Sequence, residues 1–190
     1  MKPGDPIQVR FAGAGGQGVM LAGVLTAEAG MHDGLHVVST QSYGPEARLG
    51  AAKSEIVLSR HEIVLPDVRV PDVVVCLSVD AYRKHGRPLA AGGVRIVDER
   101  AIPSGEEPDP DTVTLPLVAT ARGLGPGGEL TANVVALGAF VALTGVVTEA
   151  SVRRALRHRI KPALLEQNER ALAAGQALAA GATAQARQPQ

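Results

Sequence analysis

Apolar and polar positions change period several times along this chain, and the first change frames the rest. Ile7, Val9 and Phe11 alternate with Gln8 and Arg10, the two-residue period of a strand with one face buried. From Leu21 the spacing becomes helical through Val24 and Leu25, with Ala22, Ala27 and Ala29 as good helix formers. Between the two lies Phe11 to Gly18, FAGAGGQG, read as Gly13-x-Gly15-x-x-Gly18. Strand, glycine turn and helix follow in the order that presents backbone N–H groups to an anion at a helix N-terminus. A tight strand-to-helix connection without a ligand would carry the same pattern, because the glycine spacing alone is a weak signal.

Further along, Asp33-Gly34 is a turn and His36 to Ser39 a short strand. Ala52 to Ser59 resumes strand alternation, and Val73 to Ser78, VVVCLS, is a continuous apolar run of the kind buried on both faces of a sheet. Tyr82 to Arg87 reads as a short basic helix or loop, Val94 to Val97 as another strand, and Ile102 to Asp111 as exposed loop. Val113 to Leu117 is the last predicted strand, and Pro116 restricts it to an edge or an end. After the glycine-rich stretch 122–128 comes VVALGAFVALTG, apolar all round, a buried helix. Thr148 is placed to cap a helix beginning near Glu149, and Pro162 starts a last helix expected to end near Ala180, before Gly181.

Strands interleaved with helices predict an α/β fold, Rossmann-like, with a mostly parallel sheet, helices on both faces and a glycine-rich loop after strand 1. One domain is expected over residues 1–181, with 182–190 as a disordered tail. A dinucleotide site of the NAD type places Asp or Glu about 20 residues past the glycines. Here the second strand runs into Ser39-Thr40-Gln41-Ser42, so that type of site is disfavoured.

Charge and composition narrow the function classes. Lys plus Arg and Asp plus Glu number 19 each, and Trp is absent, which argues against a nucleic-acid binder. Neutrality suits a chain that works inside a complex. Cys76, inside the apolar run, reads as a small buried hydrophobe, and one thiol cannot ligate an iron–sulfur cluster. His32, His36, His61, His85 and His158 show no metal spacing, and no catalytic or metal role is assigned to any of them. The start of the chain, MKPGDPIQ, has no apolar signal region and no apolar run reaches membrane-spanning length, so a cytoplasmic protein is expected.

Three segments together resemble the gamma subunit of the 2-oxoacid:acceptor (pyruvate/2-ketoacid:ferredoxin) oxidoreductase family. They are GAGGQGVMLAG from Gly13, SYGPEARLGAAKSEIVLS from Ser42, and NVVALGAFVALTG from Asn133 with the downstream Glu166-Gln167-Asn168. The resemblance extends to about Ala180. Leu49 departs from it, standing where the family pattern has the first glycine after the arginine, which leaves the shape of that loop open.

The resemblance implies an accessory subunit of a 2-oxoacid:ferredoxin oxidoreductase, inactive alone. Its alpha and beta partners would carry thiamine diphosphate, magnesium and iron–sulfur clusters, make acyl-CoA and pass electrons to ferredoxin. Gly13, Gly15, Gly16, Gln17, Gly18, Tyr43, Glu46, Arg48 and Asn133 become the candidate contacts for coenzyme A or for a partner chain. Each has a plainer alternative: Tyr43 filling the domain edge, Glu46 and Arg48 forming an exposed pair worth under about 1 kcal/mol, Asn133 opening a helix. If buried at a subunit contact, Arg48 would instead clamp a carboxylate or phosphate bidentately. Two rival functions remain open at this point: a stand-alone nucleotide-binding oxidoreductase, and an assembly module whose glycine loop holds no ligand.

Overall fold

In the computed structural model, residues 5–42 and 50–186 are described. A six-stranded sheet forms the centre, in the order β2-β3-β1-β4-β5-β6. The strands are β1 (Ile7–Ala14), β2 (His36–Ser42), β3 (Ala51–Ser59), β4 (Val73–Cys76), β5 (Val94–Asp98) and β6 (Thr112–Leu115). Strands β1, β4, β5 and β6 pair in parallel. β3 lies between β1 and β2 and runs antiparallel to both, so it alone opposes the common direction. The sheet is therefore mixed. Its cause is the short link between β2 and β3, residues 43–50, which is too short for the helical crossover that parallel neighbours require. β6 is an edge strand and Pro116 follows it directly, as its sequence demanded.

The helices are α1 (Val19–His32), the single turn α2 (Val79–Ala81), α3 (Leu117–Gly123), α4 (Ala132–Thr144), α5 (Glu149–Arg159) and α6 (Pro162–Ala186). α1 and α3 to α6 share one apolar core with Val9, Phe11, Val73, Val75 and Ile96 of the sheet. Leu25, Leu137, Leu156 and Leu172 are fully buried there, each stabilising by about 1.5–3 kcal/mol through transfer from water. Phe11 meets Phe140 edge to face, with ring centroids 5.4 Å apart.

The opposite face corrects the expectation of helices on both sides. It carries only short turns: α2, a π-helical turn over Tyr82–Gly86 and a 3₁₀ turn over Glu99–Ala101, packed on Ala12, Val74, Cys76 and Val97. β1 is accordingly not half-exposed, since Arg10 is buried beside the apolar positions of this second face.

α4 and α6 touch backbone to backbone. A Cβ on Gly138 would lie 2.1 Å from the Leu172 carbonyl oxygen, and one on Gly175 would lie 1.9 Å from that of Val135. α6 also continues through Gly181 to Ala186, five residues past the expected end of the domain, because a lone glycine inside a good helical run weakens a helix without stopping it. The remaining tail, 187–190, lies outside the described residues. Thr148 caps α5 as read, its hydroxyl oxygen accepting from the Ser151 N–H at 3.2 Å. Among the described residues no helix is long and apolar enough to cross a membrane.

Candidate functional site

β1 ends where the glycine turn begins, and the turn is built by its own side chains. The Gln17 amide oxygen accepts from the Ala14 N–H at 2.7 Å, and its amide nitrogen donates to the Leu77 carbonyl at 3.0 Å, tying the loop to the end of β4. Gly13 must lack a side chain, because a Cβ there would sit 2.8 Å from both Gln17 Oε1 and Val19 Cγ1. Gly18 has φ +72°, and a Cβ there would lie 2.7 Å from Asn133 Nδ2. Asn133 Nδ2 instead donates to the Gly18 carbonyl at 3.1 Å. Gly15 and Gly16 are exposed.

These bonds bring two helix starts together. α1 begins after Gly18 and α4 after Thr131, and neither has a side-chain cap. α4 is continued backwards by a 3₁₀ turn over Gly128–Thr131, so the free helix start at this corner is that of α1, with the positive end of its dipole. The N–H groups of Gly16 and Gly18 likewise meet no acceptor among the described residues, whereas Gly15 N–H donates to Gly50 at 3.1 Å. Asn133 is 2% exposed and its Oδ1 has no described partner. The Gly16 and Gly18 N–H groups can donate to an anion or a carbonyl, whereas the Asn133 Oδ1 can accept from a donor.

Five of the candidate residues with Asn133 therefore come together: Gly13, Gly15, Gly16, Gln17 and Gly18. The amide groups of Gln17 and Asn133 act as clamps that shape the turn, a role their residue types allowed but no spacing rule announced. Tyr43, Glu46 and Arg48, with Leu49, lie outside the described residues. The ends of their segment are placed: β2 stops at Ser42, opposite Lys53, and Gly50 bonds Gly15. Ser42 and Gly50 thus both lie at the end of the sheet that carries the glycine turn.

Sequence reasoning missed the ion network on the second face beside this end. Arg10 Nε donates to Glu55 Oε1 at 2.7 Å, its Nη atoms donate to the carbonyls of Val68 and His85, and Lys53 Nζ donates to Glu55 Oε2 at 2.8 Å. Burial lowers the His85 pKa, and the neighbouring charges of Lys53 and Arg10 lower it further. The signal available was Lys53 and Glu55 on one face of a strand that continues into the apolar run Ile56 to Leu58.

Against known proteins, the profile described as pyruvate ferredoxin/flavodoxin oxidoreductase matches residues 8–178. This chain belongs to that family. The 2-oxoglutarate synthase subunit KorC of Methanocaldococcus jannaschii is 40% identical over 171 residues, which is 88% of this chain and 91% of that one. A keto/oxoacid ferredoxin oxidoreductase gamma subunit from Geobacter sulfurreducens superposes with TM-score 0.81 and 38% identity, over 94% of this chain and 99% of that one. The 2-oxoglutarate:ferredoxin oxidoreductase from Magnetococcus marinus, solved with 2-oxoglutarate, coenzyme A and succinyl-CoA bound, shares the fold at TM-score 0.80 and 24% identity. It matches 94% of this chain, which spans 32% of that longer one. The present protein is a gamma-type subunit of a 2-oxoacid:ferredoxin oxidoreductase, an enzyme of several subunits. The gamma-type chain itself is poorly suited to a metal cluster: Cys76 is fully buried, and burial pushes its thiol up to about 12.

Proposed function

We propose that the corner formed by the glycine turn, the start of α4 and segment 43–49 is the surface through which this gamma-type subunit meets coenzyme A beside thiamine diphosphate-bearing alpha and beta partners. The observation that carries the reading is the convergence of the uncapped start of α1 with the Gly16 and Gly18 N–H groups, locked by the Asn133–Gly18 bond, with the ends of segment 43–49 beside them. The donor set fits a phosphate: backbone N–H groups, the positive end of the α1 dipole and, from segment 43–49, the guanidinium of Arg48. Coenzyme A would supply the thiol that accepts the acyl group. This chain's own part is to hold and orient the phosphate-bearing end and to exclude water around it. Thiamine diphosphate, magnesium and iron–sulfur clusters belong to the partners, as does transfer of electrons to ferredoxin, and the complex works in the cytoplasm. The Magnetococcus protein, with coenzyme A bound, supports this reading at the level of the fold.

A second reading has an observation of its own. The side-chain amides of Gln17 and Asn133 are engaged in shaping the turn, so the corner offers mainly backbone donors, which serve a partner's carboxylate equally well. Arg48→Ala in the reconstituted complex separates the two. A rise in the coenzyme A requirement of about fivefold or more, with assembly intact, supports ligand contact. Weakened assembly at unchanged coenzyme A requirement supports the partner contact. Unchanged assembly, coenzyme A dependence and turnover would sink both.

A further inference from the structure

At the far end of α1, about 20 Å along the helix from the glycine turn, the molecule carries a second polar constellation. An open cleft of about 500 Å³ lies between the last turn of α1 and α5, lined by Glu28, Met31, His32, Arg154, His158 and Arg159. Its volume falls in the range of small-molecule sites. Glu28 is buried, and its two oxygens hold the wall together: Oε1 meets His158 Nδ1 at 2.6 Å and Oε2 accepts from Arg159 Nε. Burial alone would raise the Glu28 pKa, but the bonds and charges of Arg159 and His158 outweigh it and hold the carboxyl below its usual range. His32 Nε2 is buried 3.7 Å from the same carboxylate, short of a hydrogen bond.

Glu28 is therefore spent within the wall, its charge matched by Arg159. What remains faces outward. Arg154 is exposed and has no ion pair or hydrogen bond among the described residues, and the Arg159 Nη groups have none either. The His158 side chain is 71% exposed, so with Nδ1 engaged its Nε2 side is open to a ligand. Met31, 66% exposed, gives the same cleft an apolar and polarisable wall. Two guanidinium forks match the geometry and the negative charge of a tetrahedral oxyanion such as a phosphomonoester.

We propose that this cleft binds a small organic phosphate, with its phosphate on Arg154, Arg159 and His158 and its apolar part against Met31. The site is independent of the coenzyme A corner and stands or falls without it.

Calorimetric titration of the full chain at low salt tests it, with AMP as the probe and adenosine and glutarate as comparisons. AMP should bind with Kd of about 1 mM or tighter. Arg154→Ala should weaken that binding by about fivefold or more without moving the unfolding temperature, since Arg154 holds nothing in the fold, and Arg154→Lys should retain part of it. The proposal is overturned by any of three results: no AMP binding, AMP binding indifferent to Arg154→Ala, or adenosine or glutarate binding as tightly as AMP.

Discussion

The two faces of the sheet are held by different physics. One is covered by α1 and α3 to α6 and closed by a continuous apolar core, where attraction is non-directional and sums over many methyl contacts. The other is thin. Its apolar cluster is small, and the segments that cross it are pinned by two buried arginines. Arg10 holds the carbonyls of Val68 and His85 as well as Glu55, and Arg95 holds those of Gly86, Arg87 and Pro110. Where a covering layer lacks helices, its backbone carbonyls lack internal partners, and a five-donor guanidinium satisfies several at once. The comparison teaches that irregular cover needs buried charge to satisfy its carbonyls, while helical cover closes mainly through shape.

The helical face should fail hardest when its shape is violated. Gly175→Ala drives a methyl into the Val135 carbonyl, with an expected cost of about 3 kcal/mol or more and a melting temperature lower by about 10 °C. Gly181→Ala, six residues along the same helix with no atom within 4 Å of the new Cβ, should instead stabilise by about 0.5–1 kcal/mol. Thermal melts of the pair read shape against propensity directly. Equal melting temperatures would refute the close helix contact.

The thin face should fail next, through its charges. Arg10→Met strands Glu55 with Lys53 as its remaining cation and frees two carbonyls, at an expected cost of about 3 kcal/mol in urea denaturation. Removing the carboxylate as well, in Arg10→Met with Glu55→Met, should recover part of that loss. A double variant less stable than the single one would show that the arginine's carbonyl bonds, and not the ion pair, dominate.

A smaller effect belongs to acid. Glu28 and Asp33 both have lowered carboxyl pKa values: burial raises each, but Glu28 is outweighed by Arg159 and His158, and Asp33 by bonds from Ser151 and Thr148. A depressed folded-state pKa contributes stability that is complete above the unfolded values, 4.5 and 3.8, and is lost as pH falls through the lower folded values. Stability should therefore drop on acidification below about pH 4.5, and Glu28→Gln should flatten that drop. An identical acid profile for the variant would remove Glu28 from the account. The smallest expected signal is a null one: Cys76, with its thiol at about 12, should resist thiol reagents at pH 8 until the protein unfolds.

Legibility followed the same division. The helical face was readable because its information is periodicity: Leu21, Val24 and Leu25, the all-apolar run from Val134, and the Thr148 cap each announce themselves locally. The reversal of β3 was not read, although the short link after β2 contained it, because pairing partners distant in sequence leave no local mark. Arg10 was read as a solvent-facing position since alternation alone does not distinguish water from a polar cover. At the candidate site the glycines were legible as a motif, while the inward use of Gln17 and the distant bond from Asn133 to Gly18 needed three dimensions.

The glycine contact between α4 and α6 has a mechanical side. Two helices joined through Gly138 and Gly175 have no side chains between their backbones to act as a cushion, so they move as one strut. The strut begins with Asn133, whose amide grips Gly18. A force applied to the outer surface of α6 is therefore passed to the glycine turn itself, some distance along the molecule.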